Sequence, residues 1–263
     1  MLEMEGNFIY IFIICILLGL LLLLYMFIEA RLNIVRKHEF SFSNTPLEKP
    51  IRLFFISDIH RRKIHSSIID RLSNQVDLVI IGGDLVEKGV PLKRIEENIQ
   101  KLCSLGKVYF VWGNNDIEIE KNDLLTIFKR WNVTVLKNSS VTINHSQRDW
   151  ALIGVDDLKT GEVDLELAFQ DVKPNAFKLI VSHNPRILKL LKKEQGVSLV
   201  LSGHTHGGQI RVFRYGPYEK GKTHVYNGIT QIISNGYGTT TIPLRLSARP
   251  ETHYIVIKSI YSH

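Results

Sequence analysis

The chain has 263 residues, of which 44% are hydrophobic and 22% are charged, so its composition excludes a disordered chain. The formal net charge of +7 suits nucleic acid, an anionic membrane surface or a phosphorylated substrate, without choosing among them. The two cysteines, Cys15 and Cys103, exclude a disulfide framework and are compatible with a reducing compartment.

Residues 8–28 form an apolar run of 21 residues without a charge. About 20 apolar residues in a helix span a bilayer core of about 30 Å. A cleaved signal peptide is the alternative, but it starts with basic residues, has a shorter apolar stretch and ends in small residues. Here Glu3 and Glu5 precede the run and no Ala-x-Ala pattern follows it. We therefore predict a single transmembrane helix over 8–28 and a location in the cell membrane.

Basic residues follow the predicted span and none precedes it: Arg31, Arg36 and Lys37. The positive-inside rule then predicts a cytoplasmic catalytic domain, and the same residues would meet anionic lipid head groups. Residues 29–50 are polar toward their end and hold two prolines, which predicts a juxtamembrane linker before a domain over 51–263.

The domain begins with apolar runs that alternate with helical patterns. The first part predicts strands over 51–57, 77–81 and 108–112, with helices over 66–74, 91–105 and 123–131. This order favours parallel strands with crossover helices. The second part predicts a helix over 185–193 and strands over 140–144, 150–155, 177–182, 197–202, 209–213, 231–234 and 253–258. The result is an α/β domain with a sheet or sheet pair, and ligands bind at the strand ends of such folds.

Five predicted strands are each followed directly by potential metal ligands. Asp, His and Asn suit divalent ions such as Mn²⁺, Fe²⁺ or Zn²⁺, and no cysteine joins them, which argues against a structural zinc site. Seven ligands are too many for one ion but fit two ions about 3.5–4 Å apart that share a carboxylate. In chain order the seven are Asp58, His60, Asp84, Asn114, His183, His204 and His206.

Each motif alone has an ordinary structural explanation. Asp-x-His at a strand end is more often a helix cap with a surface histidine, and Gly-Gly-Asp is more often a turn. The sequence Gly-His-Thr-His-Gly-Gly over 203–208 is harder to explain in this way. All five motifs in order, each ending a strand, together favour a metal centre.

The order Asp-x-His, Gly-Gly-Asp, Gly-Asn-x-Asp, His, Gly-His-x-His resembles the calcineurin-like metallophosphoesterase superfamily, from residue 51 to about residue 258. Residues 234–251 are also similar to a bacterial branch, often membrane-attached, named for UDP-diacylglucosamine pyrophosphatase-like activity. The resemblance implies a four-layer α/β/β/α sandwich and in-line attack of hydroxide on phosphorus beside two divalent ions. It implies that Asp58, His60 and His206 bind the first ion, that Asn114, His183 and His204 bind the second, and that Asp84 bridges them.

The sequence departs from the family where the usual Gly-Asn-His-Asp reads Gly113-Asn114-Asn115-Asp116. We expect Asn115 and Asp116 to contribute to catalysis, but an amide donates a hydrogen bond without transferring a proton. General acid catalysis is commonly worth about 10²–10⁴-fold. Three outcomes stay open: a good leaving group such as a pyrophosphate, another acid such as His65 or a water, or slow turnover with binding as the main role.

Basic side chains near the motifs are candidates for substrate contacts. Arg61 and Arg62 follow His60 and are predicted to meet a phosphate or lipid head group, a solvated basic loop being the alternative. A pocket rim or an ordinary hairpin is equally compatible with Arg211, Arg214, Tyr215 and Tyr218, and a similar ambiguity holds for Arg245 and Arg249.

The favoured function is a two-metal hydrolase of phosphodiester or pyrophosphate bonds, on a lipid- or nucleotide-linked substrate at the membrane. A phosphate-binding or scaffold protein on a weakened phosphoesterase fold is the alternative, and Asn115 is the feature that favours it. A nuclease is supported only by the positive charge. No aromatic platform for stacking bases is evident, so no nucleic-acid partner is expected.

Overall fold

The computed structural model describes residues 2–42, 49–145, 148–213 and 215–259. It begins with one continuous helix, α1 (Leu2–Glu29), whose side chains are exposed over most of its length. Residues 7–29 of this helix are apolar enough to cross a membrane, and 23 residues at 1.5 Å each reach about 34 Å.

The domain that follows is built from two six-stranded sheets and four further helices. The helices are α2 (Ser66–Leu72), α3 (Leu92–Cys103), α4 (Lys121–Arg130) and α5 (Leu165–Phe169). The strands are β1 (Ile34–Phe42), β2 (Ile51–Ile56), β3 (Leu78–Gly82), β4 (Lys107–Val111), β5 (Thr134–Val135), β6 (Ser139–His145), β7 (Arg148–Gly154), β8 (Phe177–Val181), β9 (Val197–Ser202), β10 (Lys222–Tyr226), β11 (Ile229–Ile233) and β12 (Glu251–Ser259).

The first sheet has the strand order β1-β12-β2-β3-β4-β5, and β2 to β5 run parallel. The second has the order β10-β11-β9-β8-β7-β6, with β7, β8, β9 and β11 parallel and the two edge strands antiparallel to their neighbours. The parallel β–α–β series predicted from the apolar runs is confirmed.

Three apolar clusters divide the domain into layers. Side chains of both sheets, such as Leu53 and Phe55 from one and Leu179 and Leu201 from the other, meet in the middle cluster. A second cluster lies between the first sheet and α2, α3 and α4, and a third covers the outer face of the second sheet. Full burial of each such side chain stabilises the fold by about 1.5–3 kcal/mol. The predicted four-layer α/β/β/α sandwich is confirmed.

The segment predicted as a linker, residues 29–50, contains a strand. β1 runs parallel to β12 in a register that pairs Ile34 with Glu251 and Phe42 with Ser259. An edge strand exposes one side to solvent, so its sequence is partly charged and lacks the apolar run that marks the central strands. Residues 43–48 of the predicted linker lie outside the described residues.

Other differences concern the second half of the domain. The strand predicted over 209–213 is wrong, because only isolated bridges form there, at Ile210 and Val212. The helix predicted over 185–193 consists of two short 3₁₀ turns, Pro185–Lys189 and Lys193–Gln195. The sequence analysis also did not predict β5, β10 or α5.

Candidate metal centre

The predicted ligands lie where the carboxyl ends of the parallel strands of both sheets meet. Asp58 and His60 follow β2, Asp84 follows β3, and Asn114 follows β4. From the second sheet, His183 follows β8, and the turn that holds His204 and His206 follows β9. The structure brings all seven residues into one cluster.

One side of the cluster combines residues from both sheets. His60 Nε2 lies 3.0 Å from His206 Nε2. His206 Nε2 is 3.4 Å from Asp58 Oδ1, and His60 Nε2 is 3.7 Å from Asp84 Oδ2. All four side chains are buried, and each offers a ligand atom within 4.8 Å of the others. This group can surround one metal ion.

The other side of the cluster also contacts Asp84. His183 Nε2 lies 3.3 Å from Asp84 Oδ2 and 3.2 Å from His204 Nδ1. Asn114 Oδ1 is buried without a hydrogen-bond partner, while its amide nitrogen donates to Asn115 Oδ1 at 2.7 Å. Asp84 therefore lies between two histidine pairs, as a bridging carboxylate would.

The distances and the donor set fit divalent ions. Two nitrogens that each lie about 2.0–2.1 Å from one ion at a right angle are about 3 Å apart. The two histidine pairs, at 3.0 and 3.2 Å, match that spacing. A buried acceptor without a partner, such as Asn114 Oδ1, needs an explanation, and a cation provides one.

Five of the seven ligands have a left-handed backbone, which side chains other than glycine rarely adopt. The φ angles are 53° for Asp58, 51° for His60, 50° for Asp84, 74° for His204 and 49° for His206. Such conformations cost on the order of 1–3 kcal/mol each and concentrate at functional sites. Backbone bonds between neighbouring strand ends hold them: Asp58 N donates to Gly83 O at 3.0 Å, and Ile59 N donates to Asp84 O at 2.7 Å.

Two glycines allow the ligand loops to approach each other. A Cβ on Gly113 would overlap the amide nitrogen and the carboxylate of Asp84, and a Cβ on Gly203 would overlap the carboxylate of Asp58. Side chains at these positions would displace the ligands, so the motif glycines are explained by close packing.

Further groups orient the ligands from outside. Glu87 Oε2 lies 3.1 Å from His60 Nδ1, and Gly82 O lies 2.9 Å from His183 Nδ1. A partner on one ring nitrogen directs the other nitrogen toward a metal. Burial is the largest influence on His206 and lowers its pKa to about 3, so its ring is neutral, the form that binds metals.

Asp116 lies beneath the bridging residue. Its buried carboxylate accepts hydrogen bonds from Gly113 N at 2.7 Å, Asp84 N at 2.8 Å and Val86 N at 3.1 Å. Burial, with the charge of Asp84, raises the pKa of Asp116 to about 7. The side chain thus holds the Asp84 loop from a fully buried position, and its contribution to catalysis stays a prediction.

Arg245 was considered from the sequence as a residue of the pocket rim. It is instead fully buried behind the cluster. Its guanidinium donates to five carbonyl oxygens, those of His206 at 3.2 Å, Asn235 at 2.7 Å, Gly236 at 3.4 Å, Gly238 at 2.6 Å and Ala248 at 2.7 Å. Arg245 therefore positions the backbone of a metal ligand. No motif in the sequence marks it, because its partners are carbonyl groups.

The family model described as calcineurin-like phosphoesterase matches residues 51–208. The chain belongs to this family. The match ends at the glycines after His206, so it includes all seven residues of the cluster.

Relatives of this phosphoesterase cover most of its length. It is 44% identical to the uncharacterized protein YpbG of Bacillus subtilis (strain 168), over 88% of this chain and 90% of the relative. It is 29% identical to the phosphodiesterase YaeI of Escherichia coli (strain K12), over 77% and 80% of the two chains. It is also 29% identical to a transmembrane protein with metallophosphoesterase domain of Danio rerio, over 79% of this chain and 53% of that one.

The basic residues after His60 have partners outside the cluster. Arg61 pairs with Glu87, and its guanidinium also donates to Lys88 O at 2.9 Å. Arg62 donates to Tyr237 O at 2.6 Å and to the carbonyls of residues 31 and 32, just after α1. His65, considered as an acid, caps α2 by accepting a bond from its second residue. Substrate contacts by Arg61 and Arg62 stay predictions.

The phosphoesterase has a cleft of about 530 Å³ over the cluster. Asp84, Asn114 and Asn115 lie on one side of it. Asn115 also donates from its side chain to Glu118 Oε1 at 3.1 Å. No motif in the sequence marks Lys159, the one basic side chain other than histidine in the described lining. Of the proposed rim residues, Tyr218 lines the cleft, Arg211 and Tyr215 are not among its lining residues, and Arg214 lies outside the described residues.

Proposed function

We propose that this phosphoesterase hydrolyses phosphodiester or pyrophosphate bonds with two divalent ions. The observation that carries the proposal is the position of Asp84 between two histidine pairs at the base of an open cleft. A carboxylate in that position suits a bridge between two ions, and two-metal sites favour in-line displacement at phosphorus.

The chain's own residues have distinct roles in this proposal. Asp58, His60 and His206 would hold one ion, Asn114, His183 and His204 would hold the other, and Asp84 would contact both. When bound, the two ions would neutralise charge on the phosphoryl oxygens and lower the pKa of a nearby water. Asn115 N donates to Asp84 Oδ1 at 2.8 Å, which fixes the bridge, and its side chain faces the cleft.

Asn115 determines which bonds this site cleaves well. Its amide stabilises a leaving-group oxygen by a hydrogen bond but supplies no proton. We expect slow cleavage of alkyl esters and faster cleavage of bonds whose leaving group is a weak base, such as a nucleoside phosphate. The name of the relative YaeI, a phosphodiesterase, supports the diester class.

The setting we propose is the cytoplasmic face of the cell membrane, with α1 as a single span. The apolar length of α1 and the relative named as a transmembrane protein support the span. Basic residues after the helix, Arg31, Arg36 and Lys37, support the orientation. A lipid-linked phosphoester would then reach the site from the bilayer to which the enzyme is attached.

The proposal is tested with the full chain, because β1 pairs with β12 and Arg62 binds the segment after α1. The purified protein in detergent is loaded with Mn²⁺ and offered bis(p-nitrophenyl) phosphate, and Asp84→Asn serves as the background. We expect metal-dependent turnover at least 100-fold above the variant. If the wild type and Asp84→Asn fold alike and hydrolyse the substrate at equal rates, hydrolase activity is rejected. That result would support the phosphate-binding alternative.

Asn115→His tests the role of the departure from the family. Because histidine can supply the missing proton, the variant should gain about tenfold or more on a diester with a poor leaving group. It should gain little on bis(p-nitrophenyl) phosphate, whose leaving group needs no proton. Equal gains on both substrates would show that Asn115 does not act at the leaving group.

A further inference from the structure

A tight turn beside the cleft exposes apolar side chains to solvent. Val212 is 59% exposed, Phe213 90% and Tyr215 76%. Val212 and Tyr215 exchange backbone hydrogen bonds at 3.0 Å, and Phe213 has a φ of 55°, so these described residues belong to a tight turn and their side chains are exposed. We call residues 212, 213 and 215 the aromatic turn.

The aromatic turn is connected to the end of α1 through two backbone bonds. Arg211 N, next to the turn, donates to Leu246 O at 2.9 Å. One residue earlier, Arg245 N donates to Met26 O in the last turn of α1 at 3.1 Å. Met26, Glu29 and Ala30 are buried, so the end of the helix packs against the domain. The aromatic turn and α1 therefore keep a fixed relation.

Basic side chains lie at the same end of the helix. Arg36, Lys220 and Arg249 line a depression of about 300 Å³ that also includes Tyr25 and Glu29 of α1. Anionic lipids attract such groups at a membrane surface. Aromatic side chains are enriched at the same depth, where one edge of the ring is in the apolar layer.

We infer that the aromatic turn inserts into the head-group layer of the bilayer that α1 spans. The inference rests on α1 lying in a membrane and goes beyond the proposed hydrolysis. Phe213 in water lacks the stabilisation that burial of its ring in a bilayer would supply. Tyr218 and Ile242, both exposed, line the cleft near the turn. The mouth of the cleft therefore opens at the height of lipid head groups.

The test places a tryptophan on the turn of the full chain. Phe213→Trp and Tyr215→Trp are reconstituted in vesicles of phosphatidylglycerol and phosphatidylethanolamine whose acyl chains carry bromine, which quenches nearby tryptophans. The matched control is Tyr226→Trp, because Tyr226 is 50% exposed at the end of β10 farthest from the cluster. The wild type gives the background of the three native tryptophans.

We expect bromine to quench the added fluorescence of both turn variants at least threefold more than that of the Tyr226→Trp control. If bromine quenches neither turn variant more than the control, the inference is overturned. The aromatic turn would then be a contact for a protein. Because fluorescence does not depend on turnover, this result is independent of whether the protein hydrolyses phosphoesters.

Discussion

The ligand loops and the wall of the cleft are built in different ways. Each ligand loop continues a buried parallel strand, and backbone bonds to the next strand end hold it. The cleft wall, residues 209–213, 215–218 and 238–249, has only isolated bridges in its described part. Side chains supplement its few backbone bonds: Gln209 Nε2 donates to the carbonyls of Thr240 and Ile242, both at 3.0 Å.

This difference separates the chemistry from the choice of substrate. The sheets fix the positions of the metal ligands, so changes near them should abolish turnover. The wall depends on a few side chains such as Gln209 and Arg245, so changes there should alter stability and substrate binding while the ions stay bound. The following experiments test that separation.

The largest effect is expected in the ligand loops, from Gly113→Ala. The added methyl group overlaps Asp84 and displaces the bridging carboxylate, so kcat on bis(p-nitrophenyl) phosphate should fall at least 100-fold. Gly106→Ala is the matched control, because its added carbon only approaches Asp77 O, at 3.3 Å. If the Gly113→Ala protein kept wild-type turnover, the site would tolerate displacement of the Asp84 carboxylate.

In the wall, Arg245→Lys should have the next largest effect. Lysine cannot reach all five carbonyl groups, and each buried acceptor left without a donor costs about 1–3 kcal/mol. We expect a clearly lower melting temperature and about a tenfold rise in KM, with kcat and Mn²⁺ content unchanged. Arg249→Lys, at an exposed position, is the control and should leave both the melting temperature and the kinetic constants unchanged. Loss of metal from the Arg245→Lys protein would contradict the separation of wall and ligands.

Acid should lower the stability of the first sheet near its edge, where β1 pairs with β12. This effect involves neither the ligand loops nor the cleft wall. His253 on β12 is buried, and its Nδ1 lies 3.0 Å from His38 Nε2 on β1. Burial, with the charges of His38 and Arg36, lowers the pKa of His253 to about 3 from 6.5. Between these values the unfolded chain binds a proton that the folded chain does not, so stability falls as the pH drops, by at most about 1.4 kcal/mol per pH unit.

The melting temperature at pH 7 and pH 5 measures this effect. His253→Phe removes the titrating ring, so the melting temperature should fall less between pH 7 and pH 5 in the variant than in the wild type. Equal falls in melting temperature would show that the pair of His38 and His253 does not govern the response to acid.

The smallest effect is expected from Lys159→Met, at the opening of the cleft. An exposed cation contributes modest attraction to a phosphate in water, so KM for bis(p-nitrophenyl) phosphate should rise about threefold with kcat within twofold. Lys193→Met, exposed outside the cleft lining, is the control. A fall in kcat alone would instead place Lys159 at the reacting group.

The sequence predicts the ligand loops well because their signals are local. An apolar run followed by Asp58 or Asp84 marks both a central strand and its polar end. The β–α–β series follows from the same runs, since crossover helices impose parallel strands. The left-handed backbone of these residues, by contrast, has only a weak signal in residue types, because Asp and His adopt it more often than most residues but still rarely.

The wall and the sheet edge depend on distant contacts, which the sequence does not display. β1 pairs with a strand more than 200 residues away, and its partly polar sequence is equally compatible with a linker. Val212 and Phe213 suggested a strand by their apolar character, yet they form an exposed turn. Arg245 is buried by its fit to carbonyl groups that only the folded chain assembles.

If Asp84 bridges two ions, electron paramagnetic resonance of the Mn²⁺-loaded full chain will detect the magnetic coupling between them. We predict about two ions per chain with an exchange-coupled spectrum, and a loss of the coupling in Asp84→Asn. One ion per chain, or two with the six-line spectrum of isolated Mn²⁺ in the wild type, would contradict the account.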